Sequence, residues 1–177
     1  MRVTLVTGGA RSGKSRFAQE RAYAAGGADV TFIATGIVTD AEMEGRIARH
    51  RADRPATWHT VDAPRDAARA LTLAPSLVVL LDCLTFLVSN ALFAHEQDGE
   101  DVAAAAAARE VDALLDAAAG RDGQLIVVTN EVGWGVVPEH ALARWFRDAA
   151  GHANQRVAQA ADEVYLLVAG VALRIYP

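Results

Sequence analysis

Short apolar runs alternate with longer stretches of helical spacing along the whole chain. Arg2-Val3-Thr4-Leu5-Val6 is apolar and β-branched, which predicts a buried strand, and glycines follow it. A helical pattern runs from Lys14 through Tyr23, and Asp29 to Ala34 reads as a second strand. From Asp40 to Asp53 the pattern is helical again, with Met43, Ile47 and His50 near one face. Arg54-Pro55 ends it, because the residue before a proline avoids the α region. Trp58 to Val61 predicts a short strand, and about Pro64 to Leu73 a helix.

Leu77-Val78-Val79-Leu80-Leu81-Asp82 is a continuous apolar run closed by a carboxylate, as expected of a strand covered on both faces of a parallel sheet. Helices are expected at about Leu84 to Ala94, Asp101 to Ala119 and Glu139 to Ala161, with a buried strand at Gln124 to Thr129 before the last of them. Glu163 to Val168, a turn at Ala169-Gly170, and Val171 to Tyr176 predict a terminal antiparallel hairpin. Strands alternating with helices imply an α/β fold with a mostly parallel central sheet, in one domain spanning residues 1–177.

Composition narrows the function classes. A net charge of -5 argues against a phosphodiester backbone as partner. Cys83 is the single cysteine, which excludes an intrachain disulfide. No apolar stretch reaches the roughly 18 residues of a membrane span, and the chain enters a strand at once, so a soluble cytoplasmic protein is expected.

The glycines after the first strand carry the chemistry. Gly8-Gly9-Ala10-Arg11-Ser12-Gly13-Lys14-Ser15 matches G-x-x-x-x-G-K-[ST] between a strand and a helix. Glycines let backbone N–H groups curl around phosphates, and the helix N-terminus favours negative charge. Lys14 would reach the β- and γ-phosphates of a nucleoside triphosphate, and the Ser15 hydroxyl would ligate Mg²⁺. Lys14 is the only lysine, since 16 of the 17 Lys and Arg residues are arginine, and it stands where the motif demands one. Asp82 is placed to hold the same Mg²⁺, or alternatively to cap the following helix. Glu131, beyond the strand that ends at Thr129, reads either as an acid, base or metal-shell residue or as a loop or cap residue. Cys83 reads as a small buried filler. Arg46, His50 and Arg54 are spaced by four and share a helical face. By spacing alone His50 is partly buried packing beside Met43 and Ile47, and its arginines are either a phosphate site or a solvated face.

Taken together these segments resemble the bifunctional adenosylcobinamide kinase / adenosylcobinamide-phosphate guanylyltransferase family of cobalamin biosynthesis. The resemblance rests on TGGARSGKS (Thr7 to Ser15), IATG (Ile33 to Gly36) and RIxxHRxxRPxxW (Arg46 to Trp58). It continues through LLDCLT (Leu80 to Thr85), VTNEVGWGVVPE (Val128 to Glu139), FRDAAGHANQ (Phe146 to Gln155) and ADEVYLLVAG (Ala161 to Gly170). It implies a three-layer, RecA-like P-loop fold and two activities. One phosphorylates the aminopropanol hydroxyl of adenosylcobinamide, with ATP or GTP as donor. The other moves GMP from GTP onto a histidine, releasing pyrophosphate, and then onto adenosylcobinamide phosphate. His50 occupies the guanylylated position of the family, with Lys14 as the second catalytic residue. Gly8 to Ser15, Thr35, Gly36, Arg51, Arg54, Asp62 and Asp82 would form the nucleotide site, and family members assemble as homotrimers. The competing readings are a plain P-loop kinase for another small metabolite, with no covalent nucleotide, and a nucleotide-dependent switch.

Overall fold

The computed structural model describes residues 1–176. Seven strands form one sheet in the order β3-β2-β4-β5-β1-β6-β7. They are β1 (Arg2–Gly8), β2 (Val30–Ala34), β3 (His59–Asp62), β4 (Val78–Asp82), β5 (Gln124–Val128), β6 (Glu163–Val168) and β7 (Val171–Tyr176). All neighbours pair in parallel except β6 and β7, which form the expected antiparallel hairpin.

The central strands are apolar throughout because both their faces are covered. Along β4, Val79 and Leu81 enter one core while Val78 and Leu80 enter the other. On β5, Leu125 and Val127 divide from Ile126 and Val128 in the same way. This is the period-two alternation of a pleated strand read twice over. Burying each such side chain contributes roughly 1.5–3 kcal/mol.

The first core is covered by α3 (Ala67–Leu73), α4 (Leu84–Phe93), α5 (Glu100–Ala119) and α6 (Ala141–Ala160), which pack on one another. The alanines at 103, 106 and 107 are buried, and such small side chains let α5 sit close against its neighbours. On the opposite face α1 (Lys14–Gly26) packs through Ala18 and Ala22. The last helix, α2 (Ala41–Ala52), buries no residue and stands at the rim of the sheet. It is capped by Asp40, whose carboxylate accepts from the Met43 N–H at 2.8 Å.

Several expected boundaries shift for local reasons. Trp58 lies outside β3; it is buried in the core beneath α1, and its indole N–H donates to the Gly27 carbonyl at 3.0 Å. Helix α3 starts at Ala67 rather than Pro64, because Asp66 before it takes a left-handed backbone (φ 58°). Helix α6 starts at Ala141 rather than Glu139, with His140 still extended. There Arg144 turns back to donate to the carbonyls of Pro138 and Glu139.

Candidate active site

All strands but β7 run the same way, so their C-terminal ends form one edge, where ligands of open α/β sheets gather. Register aligns that edge: Asp62 of β3 lies opposite Ala34 of β2, which lies opposite Asp82 of β4. The two carboxylates therefore flank the end of β2. The loop from Gly8 to Ser15 opens from the same edge.

That loop is held from three sides. Its Ser12 N–H donates to the Gly9 carbonyl at 3.3 Å, and the Phe17 N–H to the Gly13 carbonyl at 3.0 Å. The β6–β7 turn buttresses it, with the Gly170 N–H donating to the Ser12 carbonyl at 2.9 Å. Gly8 has φ 151°, and a Cβ there would sit 2.5 Å from the Leu167 carbonyl oxygen. Gly13, before the first turn of α1, has φ 95°, a conformation that disfavours a side chain. Gly9, Ala10 and Arg11 are exposed at the tip. The buried Ser12 hydroxyl has no protein partner among the described residues.

Lys14 is buried, and its ammonium donates to the Gly9 carbonyl at 2.9 Å. Burial lowers its pKa; Cys83 and Asp82 oppose that, and Arg46 adds to it. Burial raises the pKa of Asp82, against the Ser15 hydroxyl that donates to it and the charges of His50, Arg54 and Lys14. The chain thus brings Lys14 and Ser15 of α1, His50 of α2 with Arg54 just beyond it, and Asp82 of β4 into one electrostatic neighbourhood. Asp82 does not cap α4: its N-cap position is Cys83, with no side-chain hydrogen bond. The helix-cap alternative for Asp82 is thereby removed.

A cavity of about 70 Å³ lies between α2 and the sheet edge, lined by Met43, Arg46, Ile47, His50, Arg54, Asp62, Asp82 and Phe86 among others. His50 is half-buried there, so its packing against neighbours and its access to the cavity coexist. The Arg54 guanidinium lies over the Phe32 ring, 3.4 Å from its centroid, and its buried Nε–H has no partner among the described residues. Burial lowers the Arg54 pKa, Asp82 and Asp62 opposing. Arg51 and Asp62 pair at 3.2 Å, both well exposed, which ties the end of α2 to β3.

Thr35 is fully buried, and its hydroxyl is used twice on one residue. It donates to the Cys83 carbonyl at 2.7 Å and accepts from the Cys83 N–H at 2.8 Å. Its place at the site is to fix the end of β2 against the end of β4. Gly36 also lines the cavity, and a Cβ built there would lie 3.6 Å from the Ile47 side chain. Phe86, on the first turn of α4, went unremarked in the sequence; its position four residues after Asp82 was the available signal.

An Mg²⁺ fits this chemistry. The Ser15 hydroxyl and the Asp82 carboxylate are hard oxygen donors close enough for Ser15 to influence the Asp82 carboxyl, and Mg²⁺ on a nucleotide takes its remaining ligands from phosphate and water. Among the described residues no cluster of three or more His, Cys, Asp or Glu could hold a metal by itself. None is needed for an ion carried in on phosphates.

Residues 4–175 match the family described as "Cobinamide kinase / cobinamide phosphate guanyltransferase". The chain belongs to that family. It is 48% identical over 179 residues to the "Bifunctional adenosylcobalamin biosynthesis protein CobU" of Salmonella typhimurium, covering 97% of this chain and 98% of the relative. The protein of the same description from Escherichia coli is 44% identical with the same coverage. The "Bifunctional adenosylcobalamin biosynthesis protein CobP" of Pseudomonas aeruginosa is 41% identical, over 94% of this chain and 93% of the relative. Membership makes this chain an enzyme of the kinase and guanyltransferase type with a P-loop nucleotide fold. No helix among the described residues is long and apolar enough to cross a membrane.

Proposed function

We propose that this chain, as one nucleotide-binding domain, carries out two successive transfers in cobalamin biosynthesis. In the first, the aminopropanol hydroxyl of adenosylcobinamide attacks the γ-phosphorus of ATP or GTP. The bond to the β–γ bridging oxygen breaks and the nucleoside diphosphate leaves. In the second, an imidazole nitrogen of His50 attacks the α-phosphorus of GTP and pyrophosphate leaves. The phosphate of adenosylcobinamide phosphate then takes GMP from His50, giving adenosylcobinamide-GDP. A covalent intermediate splits one difficult substitution into two easier ones.

The observation that carries this reading is that His50 lines the same cavity as Asp82, whose other neighbours are Lys14 and Ser15 of the phosphate loop. A nucleophile, an anion cradle and a metal-binding carboxylate then serve one bound triphosphate. Ser15 and Asp82 would hold Mg²⁺, which neutralises charge on the phosphate oxygens when bound. Lys14 and the backbone from Gly8 to Gly13 would hold the phosphate chain. Arg54, with its unpaired buried N–H, would receive an anionic oxygen, and Arg51, Asp62, Thr35 and Gly36 would shape the nucleotide's surroundings. Homotrimeric assembly and a cytoplasmic setting belong to the same reading. The exposed Trp134, Val136 and Val137, between β5 and α6, would supply apolar surface for a neighbouring subunit.

The two activities test the reading when assayed apart. His50→Asn should retain NTP-dependent phosphorylation of adenosylcobinamide and lose GMP transfer to adenosylcobinamide phosphate. GMP transfer retained by His50→Asn would return His50 to a packing role, and a wild type that transfers no GMP would leave a plain P-loop kinase.

A further inference from the structure

The other carboxylate at the sheet edge has a different setting from Asp82. Glu131 follows the end of β5 and is joined to the start of the phosphate loop, its N–H donating to the Gly8 carbonyl at 3.2 Å. Its side chain is fixed on one oxygen only. Oε1 accepts from the Thr7 hydroxyl at 2.5 Å and from Asn154 Nδ2 at 3.4 Å. Asn154 is itself held, accepting from the Thr129 hydroxyl at 2.7 Å and donating to the Asn130 carbonyl at 3.1 Å. Among the described residues Oε2 has no hydrogen-bond partner, and no Lys, Arg or His forms a salt bridge with this carboxylate. Glu131 is half-buried, so the free oxygen remains approachable.

Asp82 lies among the charges of His50, Arg54 and Lys14, a setting that suits a metal ligand. Glu131 is held by neutral donors alone. A carboxylate beside the phosphate loop with no cationic partner and one unengaged oxygen is open to a hydrogen-bond donor. A carboxylate that takes a proton from an attacking hydroxyl loses its charge, at the moment the phosphoryl group is transferred.

We propose that Glu131 is the proton acceptor of the phosphoryl-transfer step. The inference deepens the kinase half of the proposed function and is independent of the histidine half. Oε2 of Glu131 accepts a hydrogen bond from the alcohol acceptor. As the alcohol oxygen bonds to the γ-phosphorus, its O–H bond breaks and the proton passes to Oε2. The bond from phosphorus to the β–γ bridging oxygen breaks and the nucleoside diphosphate leaves with that electron pair. Thr7 and Asn154 are positioning residues, which keep Oε1 occupied and aim Oε2 outward.

Glu131→Gln separates the roles, because a glutamine carbonyl still accepts from Thr7 and Asn154 but takes no proton. Wild type and variant are compared in NTP-dependent phosphorylation of adenosylcobinamide and, separately, in formation of a GMP adduct from GTP and Mg²⁺. The proposal expects a melting temperature and an adduct yield close to wild type, with kcat for phosphorylation lower by about a hundredfold or more at little-changed KM for the nucleotide. A variant kcat within about fivefold of wild type would overturn it and leave Glu131 a loop residue. Equal loss of phosphorylation and adduct would also overturn it, since that pattern means Glu131 shapes the phosphate loop for both reactions. A wild type that takes up GMP but transfers no phosphoryl group would overturn this proposal while the guanylyl reading stood.

Discussion

Replacing Lys14 by methionine should uncouple nucleotide binding from the stability of the empty protein. Met keeps the length of the side chain and removes its charge. Without nucleotide two effects oppose one another. The ammonium's hydrogen bond to the Gly9 carbonyl, 2.9 Å long, is lost, at roughly 1.5–3 kcal/mol for a charged donor. Against that, the variant no longer buries a charge, and desolvation is the largest influence on the Lys14 pKa, ahead of the attraction of Cys83 and Asp82. The two act in opposite directions, so the empty variant is expected to melt within about 4 °C of wild type, equivalent to about 1 kcal/mol in a chain of this size. With nucleotide there is no cancellation. One charge-assisted contact to a phosphate oxygen is worth roughly 1.5–3 kcal/mol, which lowers affinity by about 10- to 150-fold. GTP–Mg²⁺ at about a hundred times the wild-type Kd stabilises wild type by about 2.7 kcal/mol; a variant weakened a hundredfold gains about 0.4 kcal/mol. The ligand-induced rise in melting temperature should therefore fall from about 5–11 °C to about 1–2 °C, read by scanning calorimetry with and without GTP–Mg²⁺. A variant that keeps the wild-type rise would refute the assignment of the loop. An empty variant melting more than about 10 °C below wild type would refute the cancellation. The pH dependence carries the same sign. Because the folded pKa of Lys14 lies below its ordinary 10.5, the unfolded chain binds the extra proton between those values. Wild-type stability should gain on Lys14→Met as pH rises through that window.

Thr35→Val strips the hydroxyl that serves both backbone groups of Cys83. Two buried polar groups are left unpaired, so stability should fall by about 2–4 kcal/mol in urea denaturation; a change under about 1 kcal/mol would contradict the role given to Thr35. Cys83 should resist thiol reagents at pH 8 until the chain unfolds, because burial and the nearby Asp82 push its pKa up to about 12 and leave a thiolate fraction on the order of 10⁻⁴. Modification of the native protein at the rate of a free thiol would contradict its burial. The same shift makes stability fall as pH climbs from about 9 toward 12, and Cys83→Ala should remove that fall, measured as the difference in melting temperature from wild type.

Much of the architecture was legible because it is written locally. The apolar run into Asp82 could be satisfied only by a strand covered on both faces, and the glycine loop required a strand before it and a helix after it. Trp58 was misplaced because what holds it is distant in sequence, the Gly27 carbonyl and the core beneath α1. The starts of α3 and α6 shifted because a single residue before each, Asp66 or His140, leaves the helical region, and propensity does not register that. The site was legible in part. The loop residues announce themselves, whereas spacing gave His50 only a face shared with Met43, Ile47 and arginines. Which structure that face meets depends on how α2 stands against the edge of β2, β3 and β4, and no local pattern encodes it. The free oxygen of Glu131 is of the same kind, since it exists only because Thr7 and Asn154, from two other elements, occupy its partner.

The central claim is that His50, which shares a cavity with Asp82, becomes covalently guanylylated. Intact-mass and peptide-mapping spectrometry after incubation with GTP and Mg²⁺ tests it without any corrinoid present. A GMP adduct on the peptide containing His50, lost in acid and absent from His50→Asn, is the predicted result. Unmodified wild-type protein under conditions where GTP raises the melting temperature would contradict it.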